Sequence, residues 1–196
     1  MPAGTSNLST NLSNDHPISF IYNSALAAAD GELKDPSTLI GPVRLENSKM
    51  QFISRHHPHA NIQTDFLVAS TLASDLCLNC HEPDYWSSSS HKNSSKTWNG
   101  TSPDPWFHTP NSYTTVAQNA CENCHNPHLA EATPRLMNFS PEENNCLVCH
   151  NGNVAAKNIQ VQMAKTNRHN VYAYNGGHDP TEEAWVQSKH VECEDC

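Results

Sequence analysis

Hydrophobic positions in this 196-residue chain rarely hold a period for more than a turn or two, and four stretches stand out against that background. NSALAAADGEL predicts a helix over residues 23–33, and TDFLVASTLASDLCLNCH predicts one from about Asp65. In SPEENNCLVCH, Ser140, Pro141 and Glu143 read as N-cap, first helical residue and third helical residue of a short helix running into two cysteines. DPTEEAWVQSKH repeats that signal with Asp179, Pro180 and Glu182, which places His190 near the end of its helix. Elsewhere Pro, Asn, Ser and Gly interrupt every period, residues 87–105 read as loop, and no strand alternation is sustained. The expected fold class is mostly irregular coil with few short α-helices and no significant sheet.

Composition sharpens the problem this poses. Only 36% of residues are hydrophobic and mean hydropathy is −0.65, so the chain has little apolar side chain to offset its ordering entropy. It needs another source of core. The cysteines supply a candidate: all eight fall in C-x-x-C pairs, Cys77/Cys80, Cys121/Cys124, Cys146/Cys149 and Cys193/Cys196. Three pairs are followed directly by histidine, in CLNCH (His81), CENCH (His125) and CLVCH (His150). C-x-x-C-H reads as a c-type haem attachment site, in which two thiols bind the vinyl groups and the adjacent histidine reaches the iron. Buried porphyrins would then provide the missing core. The 13 histidines fit, because imidazole is a common axial ligand.

A repeat is hidden in the spacing. Sliding the sequence by 69 residues brings HHPH at 56–59 onto HNPH at 125–128, and CLNCH onto CLVCH. In the earlier copy Phe52 and Arg55 occupy the places of Cys121 and Cys124, so FISRH at 52–56 reads as a haem motif without its cysteines. It is a lost site, a site holding haem without thioethers, or a wrongly assigned stretch, and loss is the preferred reading. The predicted organisation is an N-terminal arm over 1–51, a first repeat unit over 52–120, a second over 121–192, and the start of a truncated third at 193–196. The final pair, Cys193/Cys196, is expected to hold a fourth haem. The alternative is a genuine terminus with a redox dithiol or disulfide there.

His81, His125 and His150 are the proximal ligands that the motifs define. Distal candidates are His16, His59, His108, His128, His169, His178 and His190, with His128 and His59 favoured by the recurring H-x-P-H. His91 lies in the serine-rich loop, and His57 is expected to face solvent. Trp86 to His91 and Trp185 to His190 share W-x-x-S-x-H, and a tryptophan beside a histidine can pack on a porphyrin. Methionine is the other common axial ligand, but Met137 reads more simply as core, and bis-histidine iron is expected. Such iron is closed to substrates, so its chemistry is outer-sphere electron transfer. The net charge of −9 argues against nucleic acid. No apolar run reaches the length of a membrane span, and the opening residues lack the pattern of a signal peptide, so a leader is expected to have been removed. Five N-x-S/T sequons, including Asn138, read as chance in a chain this rich in Asn and Ser.

CENCHNPH, the 25-residue step from His125 to His150, the W-x-x-S-x-H elements, KHVECEDC and LSNDHPISF together resemble the multihaem c-type cytochromes with doubled CxxCH motifs. The resemblance runs from about residue 13 to residue 196. It implies a multihaem cytochrome c fold built around three to four covalently bound haems, His16 as a distal ligand, and electron transfer along closely spaced haems. It also implies export to the periplasm, the cell surface or beyond. The partners it implies are redox proteins or an extracellular acceptor, with a homopolymer sharing haem ligands between subunits as a further option. Two rivals remain. A multihaem nitrite or hydroxylamine oxidoreductase needs an open iron, whereas all three complete motifs end in histidine. A structural zinc protein would give no purpose to the histidine that directly follows each pair.

Overall fold

The helix expected at residues 23–33 forms as α1 (Ser24–Asp30), and both of its ends have identifiable causes. Asn23 is extended and its side chain accepts from the Leu26 amide at 2.9 Å, while Gly31 adopts the left-handed region at φ 87° and donates to the Ala27 carbonyl. The computed structural model describes residues 8, 10–60, 62–131, 135–169, 171 and 193. These fall into two compact units that interleave along the sequence. One gathers described residues from Met1–Asp15, Lys96–His108 and Asn123–Cys196, the other from His16–Ser95 and Thr109–Glu122.

In the second of these units, β1 (Phe20–Ile21) pairs antiparallel with β2 (Lys49–Met50), with Phe20 opposite Met50. Around this ribbon a small core assembles from Tyr22, Ala27, Val43, Met50 and Cys80, with Leu26, Leu33 and Val68 packed against it. The Tyr22 hydroxyl donates to the Lys34 carbonyl at 2.6 Å, so the ring brings no unsatisfied polar atom into the core. Next in the chain, α2 (Phe52–Arg55) is a single turn. The continuous helix expected from Asp65 does not form. Its place is taken by a 3-10 turn at Thr64–Phe66, another at Leu72–Ser74, and the short α3 (Asp75–Leu78). The reason is competition for backbone groups: Leu67 bridges to His56, and the Val68 amide donates to the Arg55 carbonyl at 2.9 Å. Asp65, Phe66, Ala73 and Ser74 all take positive φ, which a helix excludes. Further on, α4 (Val116–Asn119) packs against the Leu72–Ser74 turn and is opened by a capping box of Thr115 and Gln118.

The other unit holds α5 (Glu143–His150) and α6 (Ile159–Met163). The first begins later than its sequence signal suggests, and Ser140 is not its cap. The Ser140 amide donates to Glu131 instead, and Asn145, only 3% exposed, bonds the Phe139 amide and the Phe139 and Glu142 carbonyls. The buried apolar residues of this unit include Trp106, Ala130, Leu147, Val148 and Val154. Trp106 donates its indole N–H to Asn123 at 2.8 Å. Most of the described chain is coil and turn with short helices and one two-stranded ribbon, as the sequence pattern predicts. The helix expected from Asp179 lies outside the described residues. Among the described residues no helix is long and apolar enough to cross a membrane.

Candidate functional site

Each C-x-x-C-H segment starts in a helical turn or 3-10 turn. In CLNCH the amides of Cys80 and His81 both donate to the Cys77 carbonyl, at 3.1 and 3.0 Å, so the pentapeptide continues α3. A strand-like segment clamps it: His81 bridges to Leu33, the Lys34 amide donates to the Cys80 carbonyl at 2.8 Å, and the Lys34 ammonium donates to the Leu78 carbonyl at 2.6 Å. In CLVCH all five residues lie in α5, with Cys146, Cys149 and His150 half-buried. Burial pushes the Cys149 thiol up to about 11. CENCH starts in a 3-10 turn, Ala120–Asn123.

The histidines share a hydrogen-bonding habit. His125 Nδ1 faces the Arg135 carbonyl at 2.8 Å, His16 Nδ1 the Pro17 carbonyl at 3.1 Å, and His56 Nδ1 the Asp65 carbonyl at 2.9 Å. A carbonyl only accepts, so Nδ1 carries the proton in each ring and the lone pair sits on Nε2. His128 reaches the same tautomer through a carboxylate: its Nδ1 lies 3.1 Å from Asp15 Oδ1, and that nearly buried side chain also accepts from the Leu129 amide. A carboxylate behind an imidazole fixes its orientation and strengthens it as a ligand.

Among the described residues, two pairs of imidazoles approach edge to face, His57 with His59 within one turn and His16 with His81 across the fold. The ring centres of His16 and His81 are 6.2 Å apart with planes at 79°. With metal–nitrogen bonds of about 2.0 Å and a ring nitrogen about 1.1 Å from its ring centre, two imidazoles on opposite sides of one metal stand roughly 6 Å apart. The ring separation of His16 and His81 is compatible with an iron between them, and Cys77 and Cys80 lie on the same turn as His81.

The other sequence candidates are placed differently. His108 directs Nε2 to the His125 carbonyl at 3.1 Å and buries Nδ1 with no hydrogen-bond partner, and burial holds it below the ordinary imidazole range. His59 is exposed, and its amide donates to Nδ1 of its neighbour His57. His91 and His169 are exposed, Met50 is in the core, and Met137 bridges His125 through its backbone. Cys193 is half-buried, whereas His178, His190 and Cys196 lie outside the described residues.

Two features give no sequence signal. Asp15 is one, since nothing in LSNDHPISF pairs it with a histidine 113 residues away. Ser74 is the other: wholly buried, it accepts from the Cys121 amide at 2.8 Å and hydrogen-bonds Cys77. Beside it the Cys77 and Cys121 thiols hydrogen-bond each other, which favours the thiolate at Cys121 and the thiol at Cys77. The leading cysteines of two motifs thus lie side by side.

Residues 114–155 match the doubled CXXCH motif family. No curated protein and no solved structure matches the chain. The doubled motif covers CENCH and CLVCH and supports a haem-binding c-type cytochrome, with covalent haem c as its cofactor. It adds nothing on Cys77 and Cys80, which stand on the repeat and on the geometry of His16 and His81. Among the described residues no three His, Cys, Asp or Glu side chains gather as ligands of one metal ion.

Proposed function

We propose that this chain is an electron carrier that moves charge by outer-sphere transfer between bis-histidine haems, working outside the cytoplasm with redox partner proteins or an external acceptor. Haems would be held by Cys77, Cys80 and His81, by Cys121, Cys124 and His125, by Cys146, Cys149 and His150, and at Cys193 and Cys196. Bound haem supplies a one-electron ferric/ferrous couple. The protein's part is to close both axial positions, orient the imidazoles and keep the groups near one another.

The observation that carries the reading is the doubled CXXCH motif at residues 114–155, and the approach of His16 to His81 supports a second imidazole on one of the irons. Two imidazoles across one iron exclude substrate and leave electron transfer as its chemistry. His128, braced by Asp15, is the next candidate for a distal position. The contact between Cys77 and Cys121 supports short electron steps, because groups attached through adjacent sulfurs are themselves adjacent. Export is the compartment in which covalent haem is normally attached.

Carbon monoxide binding to the reduced holoprotein tests this. The expected result is low-spin spectra with no carbon monoxide adduct in the wild type, and one high-spin, carbon monoxide-binding haem in His16→Ala. A wild-type haem that binds carbon monoxide or nitrite at once would replace the carrier with an open-iron enzyme.

A further inference from the structure

We infer that FISRH, residues 52–56, is a haem site of a different kind: His56 holds an iron porphyrin by axial coordination alone, without thioether bonds. This rests on the reading that the intact motifs carry haem. The comparison is internal to the chain. In the intact copy the Asn126 amide donates to the Leu136 carbonyl, the Asn138 amide donates to the Cys124 carbonyl, and His125 sits opposite Met137 with its Nδ1 on the Arg135 carbonyl. The cysteine-free copy has a counterpart for each bond. The His57 amide donates to the Phe66 carbonyl, the Val68 amide donates to the Arg55 carbonyl, and His56 sits opposite Leu67 with its Nδ1 on the Asp65 carbonyl. The imidazole keeps the tautomer and the backbone frame that an axial ligand requires, although both cysteines are gone.

A histidine that served only as a backbone staple would account for the hydrogen bond, but not for the surface around it. Phe52 and Ile53 stand where the intact copy has Cys121 and Glu122, and they are 50% and 48% exposed. Phe66, whose carbonyl closes the turn, is 49% exposed. Phe52 lies flat on the His56 ring, with centres 4.6 Å apart and planes 6° apart. Phe52 on the His56 ring, with Ile53 next to it in the turn and Phe66 in the segment hydrogen-bonded to that turn, offers apolar surface that a flat ring system would cover. Arg55, in the place of Cys124, adds a permanent positive charge to the same turn, which complements carboxylates. A flat apolar ring system with an iron for the histidine and propionates for the arginine matches all three features.

The test compares two counts on the native holoprotein. Intact mass after denaturation counts thioether-bound haem, and total iron by the pyridine haemochrome counts all of it. The expected result is a total one higher than the covalent count, the excess being removed by acidified butanone. His56→Ala should abolish the extractable haem and leave the covalent count unchanged. Phe52→Cys with Arg55→Cys should convert it to covalent haem, each thiol adding across one vinyl group, so that the covalent count rises by one. Equal totals in the wild type, or extractable haem that survives in His56→Ala, would overturn the assignment. If His56→Ala does not fold, the wild-type counts and the double-cysteine variant decide alone. A covalent count of zero would instead overturn the cytochrome reading itself.

Discussion

Glu122 shows how far a haem motif departs from an ordinary surface turn. It is one of the variable residues between Cys121 and Cys124, yet it is buried, and burial first, then the neighbouring Cys121, push its carboxyl up to about 7 from a usual 4.5. The folded state therefore favours the protonated form. That contribution is whole below pH 4.5 and is lost as pH rises through about 7. Glu122→Gln should leave the urea midpoint almost unchanged below pH 4.5 and raise stability well above pH 7, by up to about 3 kcal/mol. A parallel pH profile for variant and parent would show that the carboxyl is solvated. Asp15 is a second residue with a role beyond its neighbourhood, since it determines which nitrogen of His128 carries the proton.

At the scale of elements, asparagine replaces regular secondary structure as the internal tie. Asn119, Asn138, Asn145 and Asn153 are all buried. Asn119 accepts from Thr109 at 2.6 Å and donates to the Tyr113 and Thr115 carbonyls, and Asn153 donates to the Pro103 and Val148 carbonyls. The side chains of Asn119, Asn145 and Asn153 thus tie backbone carbonyls across loops and element ends. Asn145→Ala, which would orphan the Phe139 and Glu142 groups ahead of α5, should cost about 2 kcal/mol in chemical denaturation. A loss near zero would mean that water takes over those bonds. This is also where the sequence stopped being legible. The Asn content read only as a shortage of apolar core, because composition does not say which polar side chains turn inward. Local signals worked where local forces decide, as at Asn23 and Gly31 around α1. They failed at Asp65–Leu78, where pairing of Leu67 and Val68 with the turn at 55–56 overrides helix propensity. The C-x-x-C-H motifs were legible because covalent attachment chemistry fixes their spacing, and the family match covers two of them. The approach of His16 to His81 was not, since 65 residues of chain separate them. The likeness of CENCH to FISRH was visible as a 69-residue offset, but only the hydrogen bonds show that it extends to the imidazole tautomer.

For the molecule as a whole, the balance of 20 acidic against 11 basic residues sets how it meets other proteins. A net charge of −9, deepened by haem propionates, steers cationic partners and repels anionic ones. Reduction by a small cationic donor should slow steeply as ionic strength rises past about 0.1 M, where the screening length falls to about 10 Å. Stopped-flow rates that do not respond to salt would place the point of electron entry away from the acidic surface. One feature of the core bears on how such a protein comes to exist. Cys80 is 7% exposed and packs with Tyr22, Ala27, Val43 and Met50. Under the proposed attachment of haem at Cys80, the thioether would form before the core closes around that sulfur. Assembly would then be ordered in time, with cargo installed while the chain is still open.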